Sequence, residues 1–137
     1  MALFDVFDIA GSAMNAQSVR LTLTSSNLAN ADSGSSSDAT VYRAREPVFA
    51  AVMNDTMSGL KTGSVRVAGV TQSQAPTRRE YSPQNPLADS QGYVHLPNVN
   101  VIEEMANMIS ASRSYQNNVQ VLDTSKQLLL DTLNLGK

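Results

Sequence analysis

The sequence contains no cysteine and no tryptophan, and only 16% of its residues are charged. The first absence removes disulfide staples, thiolate nucleophiles and cysteine-based zinc sites together. With 10 Lys and Arg against 12 Asp and Glu, the formal charge of −2 is too near neutral for general attraction to nucleic acid or an anionic membrane. The basic clusters are Arg43 with Arg45 and Arg78 with Arg79, two pairs that suit a solvated face or a partner's carboxylates better than a phosphate track. No run approaches the ~20 apolar residues of a bilayer-spanning helix. Met1-Ala2-Leu3-Phe4-Asp5 has an early acid and no basic n-region, so no cleaved secretory signal is expected. A length of 137 residues fits one modest domain, or a long helical element with a small insert.

Uncharged polarity takes the place of charge. Ser, Thr, Asn and Gln supply 45 of the 137 residues. Amides and hydroxyls cost far less to bury than charges, so such a surface suits contact with protein.

The positions of the helix breakers divide the chain. All prolines lie between Pro47 and Pro97, Gly11 is the only breaker before residue 33, and Val101 to Leu135 contains neither Pro nor Gly. Both ends can therefore be long helices and the middle cannot. In the first segment, steps of three and four residues connect Phe7, Ala10, Met14, Gln17, Leu21, Thr24 and Leu28. In the last, they connect Val101, Met105, Met108, Ser112, Tyr115, Val119, Leu122, Lys126, Leu129 and Leu133. This is the 3.5-residue repeat of a coiled-coil seam, on a C-terminal helix of roughly 35 residues and about 50 Å. Asn100 is placed to cap that helix, with Glu103 reaching back as in a capping box, and Gly136 supplies a stop.

The predicted fold is mainly α with a small β insert. Residues 1–32 form the N-terminal helix and 101–137 the C-terminal helix of a coiled-coil-like pair, with a loop, a β-hairpin and a Pro-rich extended segment over 33–100. Ser33 to Asp38 is a flexible low-complexity loop. Val41 to Arg45 alternates as a strand continued past Pro47 to Val52, Met57 to Gly63 is turn material, and Val65 to Val70 returns. Pro47 implies an edge or a break, and four prolines between Ala75 and Asn98 imply an extended path.

No catalytic, cofactor or metal constellation emerges. His95 has no second His or Cys beside it, no Ser sits in a nucleophile elbow, and no Gly-rich phosphate loop is present. Apolar residues off the seam, Val19, Leu23, Ile102, Ile109 and Leu130, need neighbours that so small a chain cannot supply. Other copies or relatives, packed head to tail into a ring or filament, would cover them.

The runs Asp8 to Gln17 and Ser25 to Asp32, the latter with Asn27-Leu28-Ala29-Asn30, resemble the N-terminal signature of bacterial flagellar rod, hook and related axial proteins. Asn85-Pro86-Leu87-Ala88-Asp89, Gly92-Tyr93-Val94, Pro97 to Val101, Glu103-Glu104-Met105 and Ser110 to Val119 narrow the resemblance to the proximal-rod members. The likeness covers nearly the whole chain and is weakest at Ser33 to Thr40. It implies a non-enzymatic structural subunit, exported without a cleaved signal through the flagellar type III apparatus. Such subunits assemble with copies of themselves and with other proximal, distal and base rod proteins into a hollow drive shaft across the periplasm. The seam residues would then be assembly contacts. Other readings are another proximal-rod paralogue, a cytoplasmic helical-hairpin adaptor or export chaperone, and a small enzyme.

Overall fold

The computed structural model describes residues 2–55 and 61–135. Of the expected turn over 57–63, residues 57–60 lie outside the described residues, as does the Gly136 stop, whereas Lys61 to Gly63 already belong to a strand. The elements in order are α1 (Ala2–Ala29), β1 (Arg45–Asp55), β2 (Lys61–Gln72), β3 (Arg78–Tyr81), β4 (Tyr93–Leu96) and α2 (Val101–Leu135). The protein is mainly helical with a β insert, as the distribution of Pro and Gly predicts.

Each helix end near the insert is finished by a side chain. At the end of α1, Asn30 Nδ2 donates to the Ser26 carbonyl at 2.8 Å, and Ser33 Oγ donates to the Asn30 carbonyl at 2.8 Å. At the start of α2, Asn100 Oδ1 accepts the N–H of Ile102 at 3.2 Å, satisfying one of the first-turn amides that have no partner inside the helix. The described hydrogen bonds contain no return bond from Glu103, whose side chain is exposed.

β1 and β2 form an antiparallel hairpin running from Arg45 opposite Gln72 to Asp55 opposite Lys61, with a bulge after Val48. The first strand starts later than its alternation predicts. Val41 and Ala44 are buried, and in place of a ladder this stretch is held by the Tyr42 hydroxyl on Asn27 of α1 and by the Ala44 N–H on Asn98. Pro47, opposite Val70, is tolerated because both strands of a two-stranded sheet are edges.

A second antiparallel pair, β3 with β4, sets Arg78 opposite Leu96 and Tyr81 opposite Tyr93. It interrupts the extended path expected here. Ser35 adds a bridge to its far side, exchanging backbone bonds of 2.9 Å each way with His95. The serine-rich segment is thus stitched to β4, and a Cβ on Gly34 would come within 2.9 Å of Val94 Cγ1. Asp38 holds the same segment from its other end, paired with Arg43 at 3.1 Å and accepting from the Thr77 hydroxyl.

Asn85-Pro86-Leu87-Ala88-Asp89 builds the β3–β4 connection. Asn85 Oδ1 accepts the Leu87 N–H at 3.0 Å, and Asp89 Oδ1 accepts those of Tyr93 at 2.9 Å and Gln91 at 2.8 Å. These bonds, with Tyr93 foremost, hold the Asp89 carboxyl below its ordinary pKa. Gly92 closes the turn with a φ of 85°, in the left-handed region that penalises a Cβ.

The small core sits where the segments converge. Ala31, Ala44 and Val99 are buried together, with Tyr42 and Val101 against them. Asn98 locks the convergence: its Oδ1 accepts the Ala44 N–H at 2.9 Å, and its Nδ2 donates to the carbonyls of Ala75 at 2.9 Å and Ser73 at 3.3 Å.

Gly92→Ala should destabilise the fold by about 1–3 kcal/mol, because it adds backbone strain and drives a methyl to 2.9 Å from the Tyr81 ring. Thermal unfolding of the variant measures this, and an unchanged midpoint would contradict the turn geometry.

Candidate assembly interface

The two helices lie antiparallel. Asn27 near the end of α1 meets Glu104 in the first turn of α2, and moving back to Arg20 moves forward to Asn107, where Arg20 Nη2 donates to Asn107 Oδ1 at 2.8 Å. Among the described residues α2 packs against α1 and against no strand, whereas α1 also touches β1 and β2.

The face that α2 turns inward differs from the predicted seam at every second position. Val101, Met108, Leu122 and Leu129 are half-buried, as is Asn118, and Glu104, Ala111 and Ser125 are buried. Met105, Tyr115, Val119 and Leu133 are exposed. The inward set recurs at the same heptad spacing, displaced by one residue at alternate steps. Its fully buried members, Glu104, Ala111 and Ser125, are small or polar, and so are the buried positions of α1, which include Ala10, Ala16, Thr24 and Asn27. Small residues let two helices approach closely, and a search for large apolar side chains passes over them. Phe7, Met14, Leu21 and Leu28 of α1 are half-buried.

At one end of this contact lies a fully used carboxamide. Asn27 is 1% exposed. Its Nδ2 donates to the Arg45 carbonyl at 3.0 Å and to Glu104 Oε1 at 3.1 Å, and its Oδ1 accepts from the Tyr42 hydroxyl and the Arg45 N–H, both at 2.9 Å. The Tyr42 hydroxyl also lies 3.1 Å from Ser26 Oγ. Arg45 thereby satisfies both its backbone groups on one side chain, and the hairpin begins there. Ala29, beside the node, is exposed, and Asn30 is half-buried. The sequence marks Asn27 only through its motif; nothing in local spacing names its partners at 42, 45 and 104.

Glu104 is the ionisable member of the node. Burial raises its pKa above 4.5, more than the hydrogen bonds from Asn27 and Thr24 lower it, and Glu103 and Glu46 add repulsion in the same upward direction. A cleft of about 480 Å³ opens beside it, lined by Arg20, Glu46, Glu103 and Asn107 among others. Among the described residues no three His, Asp or Glu side chains gather as a metal site, and no helix is long and apolar enough to cross a membrane. The chemistry available is hydrogen bonding and apolar contact, which suits association.

The helices and the joint are also where known families match. A family model described as Flagella basal body rod protein matches residues 7–35, covering most of α1 and the joint. Another, described as Flagellar basal body rod FlgEFG protein C-terminal, matches residues 90–135, covering β4 and α2. Over its whole length the chain is similar to curated proteins named Flagellar basal-body rod protein FlgC. Those of Salmonella typhimurium and Escherichia coli O6:H1 are each 55% identical over 137 residues, covering 100% of both chains. That of Yersinia enterocolitica is 53% identical over the same span.

Two stability measurements test the node. Asn27→Ala strands the backbone of Arg45 and the Tyr42 hydroxyl in a buried site and should cost about 2–4 kcal/mol. For Glu104 the raised pKa means that folding favours the protonated form, so its stabilising contribution is full in acid and is lost as pH rises through the raised value. Glu104→Gln keeps an acceptor for Asn27 and cannot ionise. Its stability relative to the parent should therefore increase between acidic and neutral pH, and a pH-independent difference would refute the assignment.

Proposed function

Since the chain belongs to the FlgC family of flagellar basal-body rod proteins and is a structural subunit of the basal-body rod, we propose that α1 and α2 are built into a layer of helices shared with neighbouring subunits of the proximal rod. Assembly with other rod proteins belongs to the family. The finer reading is a helical, hollow shaft crossing the periplasm, in which copies of this chain and other rod proteins carry motor torque toward the hook and filament. The subunit reaches it through the flagellar type III export apparatus, without a cleaved signal. The helix pair is coiled-coil-like, and Phe7, Ala10, Met14, Leu21 and Leu28 of α1 work together with Val101, Met105, Met108, Tyr115, Val119, Leu122, Leu129 and Leu133 of α2.

One observation carries this reading. Among the described residues α2 has one helical neighbour, and a second apolar stripe runs along an adjacent face, about 100° around the helix from the inward one. Ile102 is 80% exposed and Leu133 66%, and between them Met105, Ile109, Val119 and Leu130 recur at helical steps, interrupted by Ser112, Gln116, Asp123 and Lys126. A stripe of this kind over about nine turns is far more than a solitary subunit needs, and a neighbouring helix would bury it. Both faces of α2 then have work: the face with buried Ala111 and Ser125 and half-buried Met108, Leu122 and Leu129 holds α1, and the open stripe holds another subunit. The abundance of Ser, Asn and Gln fits the same picture, because short neutral side chains pack between helices without the desolvation cost of ion pairs.

The division of labour predicts two kinds of mutant. Met105→Glu and Ile109→Glu, on the open stripe, should leave the isolated subunit's stability within about 0.5 kcal/mol of the parent while blocking rod incorporation and swimming, with export retained. A charge at Met108, Leu122 or Leu129 should block swimming too, but should also destabilise the isolated subunit by about 1–3 kcal/mol. Normal motility of the first pair would sink the reading.

A further inference from the structure

The Asn27 node holds Arg45 by its backbone and leaves its side chain to other work. The Arg45 N–H donates to Asn27 Oδ1 at 2.9 Å, and its carbonyl accepts from Asn27 Nδ2 at 3.0 Å. Neither group is then spent on Gln72, which stands opposite in the ladder. The two therefore form a non-hydrogen-bonded pair, the kind whose side chains approach more closely on one face of the sheet. The Arg45 guanidinium lies over the Tyr42 ring, 5.4 Å from its centroid. That ring is itself fixed, because its hydroxyl is bonded to Asn27 and lies 3.1 Å from Ser26 Oγ. Backbone clamp and ring contact together restrict a side chain that would otherwise keep many rotamers.

The guanidinium borders a polar hollow of about 620 Å³, lined also by Asn30, Ser33, Ser35, Thr40 and Gln72. Two further charges at its wall cancel, since Arg43 is paired with Asp38 at 3.1 Å. Among the described residues no carboxylate pairs with Arg45, and no hydrogen bond engages its guanidinium or the Gln72 carboxamide. The hollow therefore holds one uncompensated positive charge in a fixed place, beside neutral hydrogen-bonding groups.

We propose that this hollow receives an Asp or Glu side chain of a neighbouring rod subunit, whose carboxylate takes a forked pair of hydrogen bonds from Arg45 with the Gln72 carboxamide beside it. A planar guanidinium matches a carboxylate through two parallel N–H···O bonds. Its restricted position lowers the ordering cost that makes most exposed ion pairs worth little. One cation is too small a footprint for a phosphate chain, whose binding rests on several neutralised charges. The proposal rests on the chain being a rod subunit, and no residue lining the hollow belongs to α2, so it stands or falls separately from the helix layer.

The test co-expresses full-length variants with the parent chain and measures their ratio in purified basal bodies by mass spectrometry. Arg45→Glu keeps the backbone bonds to Asn27 and reverses the charge. It should be depleted from rods by roughly tenfold or more, while the purified variant keeps the parent's circular dichroism spectrum and thermal midpoint. Arg45→Lys keeps the charge without the fork and should be depleted far less. Treating rods that contain it with a carbodiimide should link the amine at position 45, as an amide, to an Asp or Glu of another subunit, the carboxylate oxygen leaving on the urea. This second readout answers on its own should Arg45→Glu fold poorly. Undiminished incorporation of Arg45→Glu, exclusion of Arg45→Lys as complete as that of Arg45→Glu, or rods that carry Arg45→Lys without that link would overturn the proposal. Normal motility of Met105→Glu would instead overturn the helix layer alone.

Discussion

The Asn27 carboxamide offers two N–H donors and accepts with one oxygen, and the fold uses all of this capacity on residues far apart in sequence. Glu104 begins the second helix, Arg45 begins the hairpin, and Tyr42 lies between the serine-rich segment and that hairpin. A residue that ties three segments at once sets where each may start. The small core of Ala31, Ala44 and Val99 packs around this arrangement and could not specify it alone, since alanine and valine carry little directional information. Few other side chains could serve here. Aspartate in place of Asn27 would lose both donors and bring a second carboxylate against Glu104 in a site where burial already disfavours charge.

The same economy runs through the helix pair. Its fully buried positions are Ala10, Ala16, Thr24 and Asn27 of α1 with Glu104, Ala111 and Ser125 of α2, and the larger Met14, Leu21, Met108, Leu122 and Leu129 are only half-buried beside them. Ile102, Met105, Ile109, Leu130 and Leu133 remain at the surface, while the polar Thr24, Asn27, Glu104 and Ser125 are buried. Composition and burial are thus partly inverted. In a solitary globular protein this would be unfavourable; in a subunit of an assembly it is the expected distribution, with the hydrophobic effect reserved for association.

The features legible in the sequence are those set by strong local chemistry. The absence of Pro and Gly after Val101 marks α2, the confinement of proline to the middle marks the insert, and Asn100 marks a helix start. The hairpin could be read from alternation, although Val41 to Ala44 belongs to the core instead of the strand. The features that could not be read depend on contacts across the chain. β3 and β4 are four residues each, and Arg78-Arg79-Glu80-Tyr81 carries no strand signal until Tyr93 to Leu96 lies beside it. The serine-rich stretch looks free until Ser35 meets His95. The heptad period of the helices was legible, but α2 is apolar on two faces and periodicity alone cannot tell which one meets α1.

That α2 touches no strand has a mechanical corollary. A load on the hairpin reaches α2 by way of α1 and the Asn27 joint, and through the bonds from Asn98 to Ala44 and Ser73 at the hairpin's base. α1 then serves as the hinge post, with the hairpin as a leaf hung on one side and α2 as the jamb on the other. Clamping the jamb from outside leaves the leaf seated on its post, so the mounting and the leaf can be built against different neighbours.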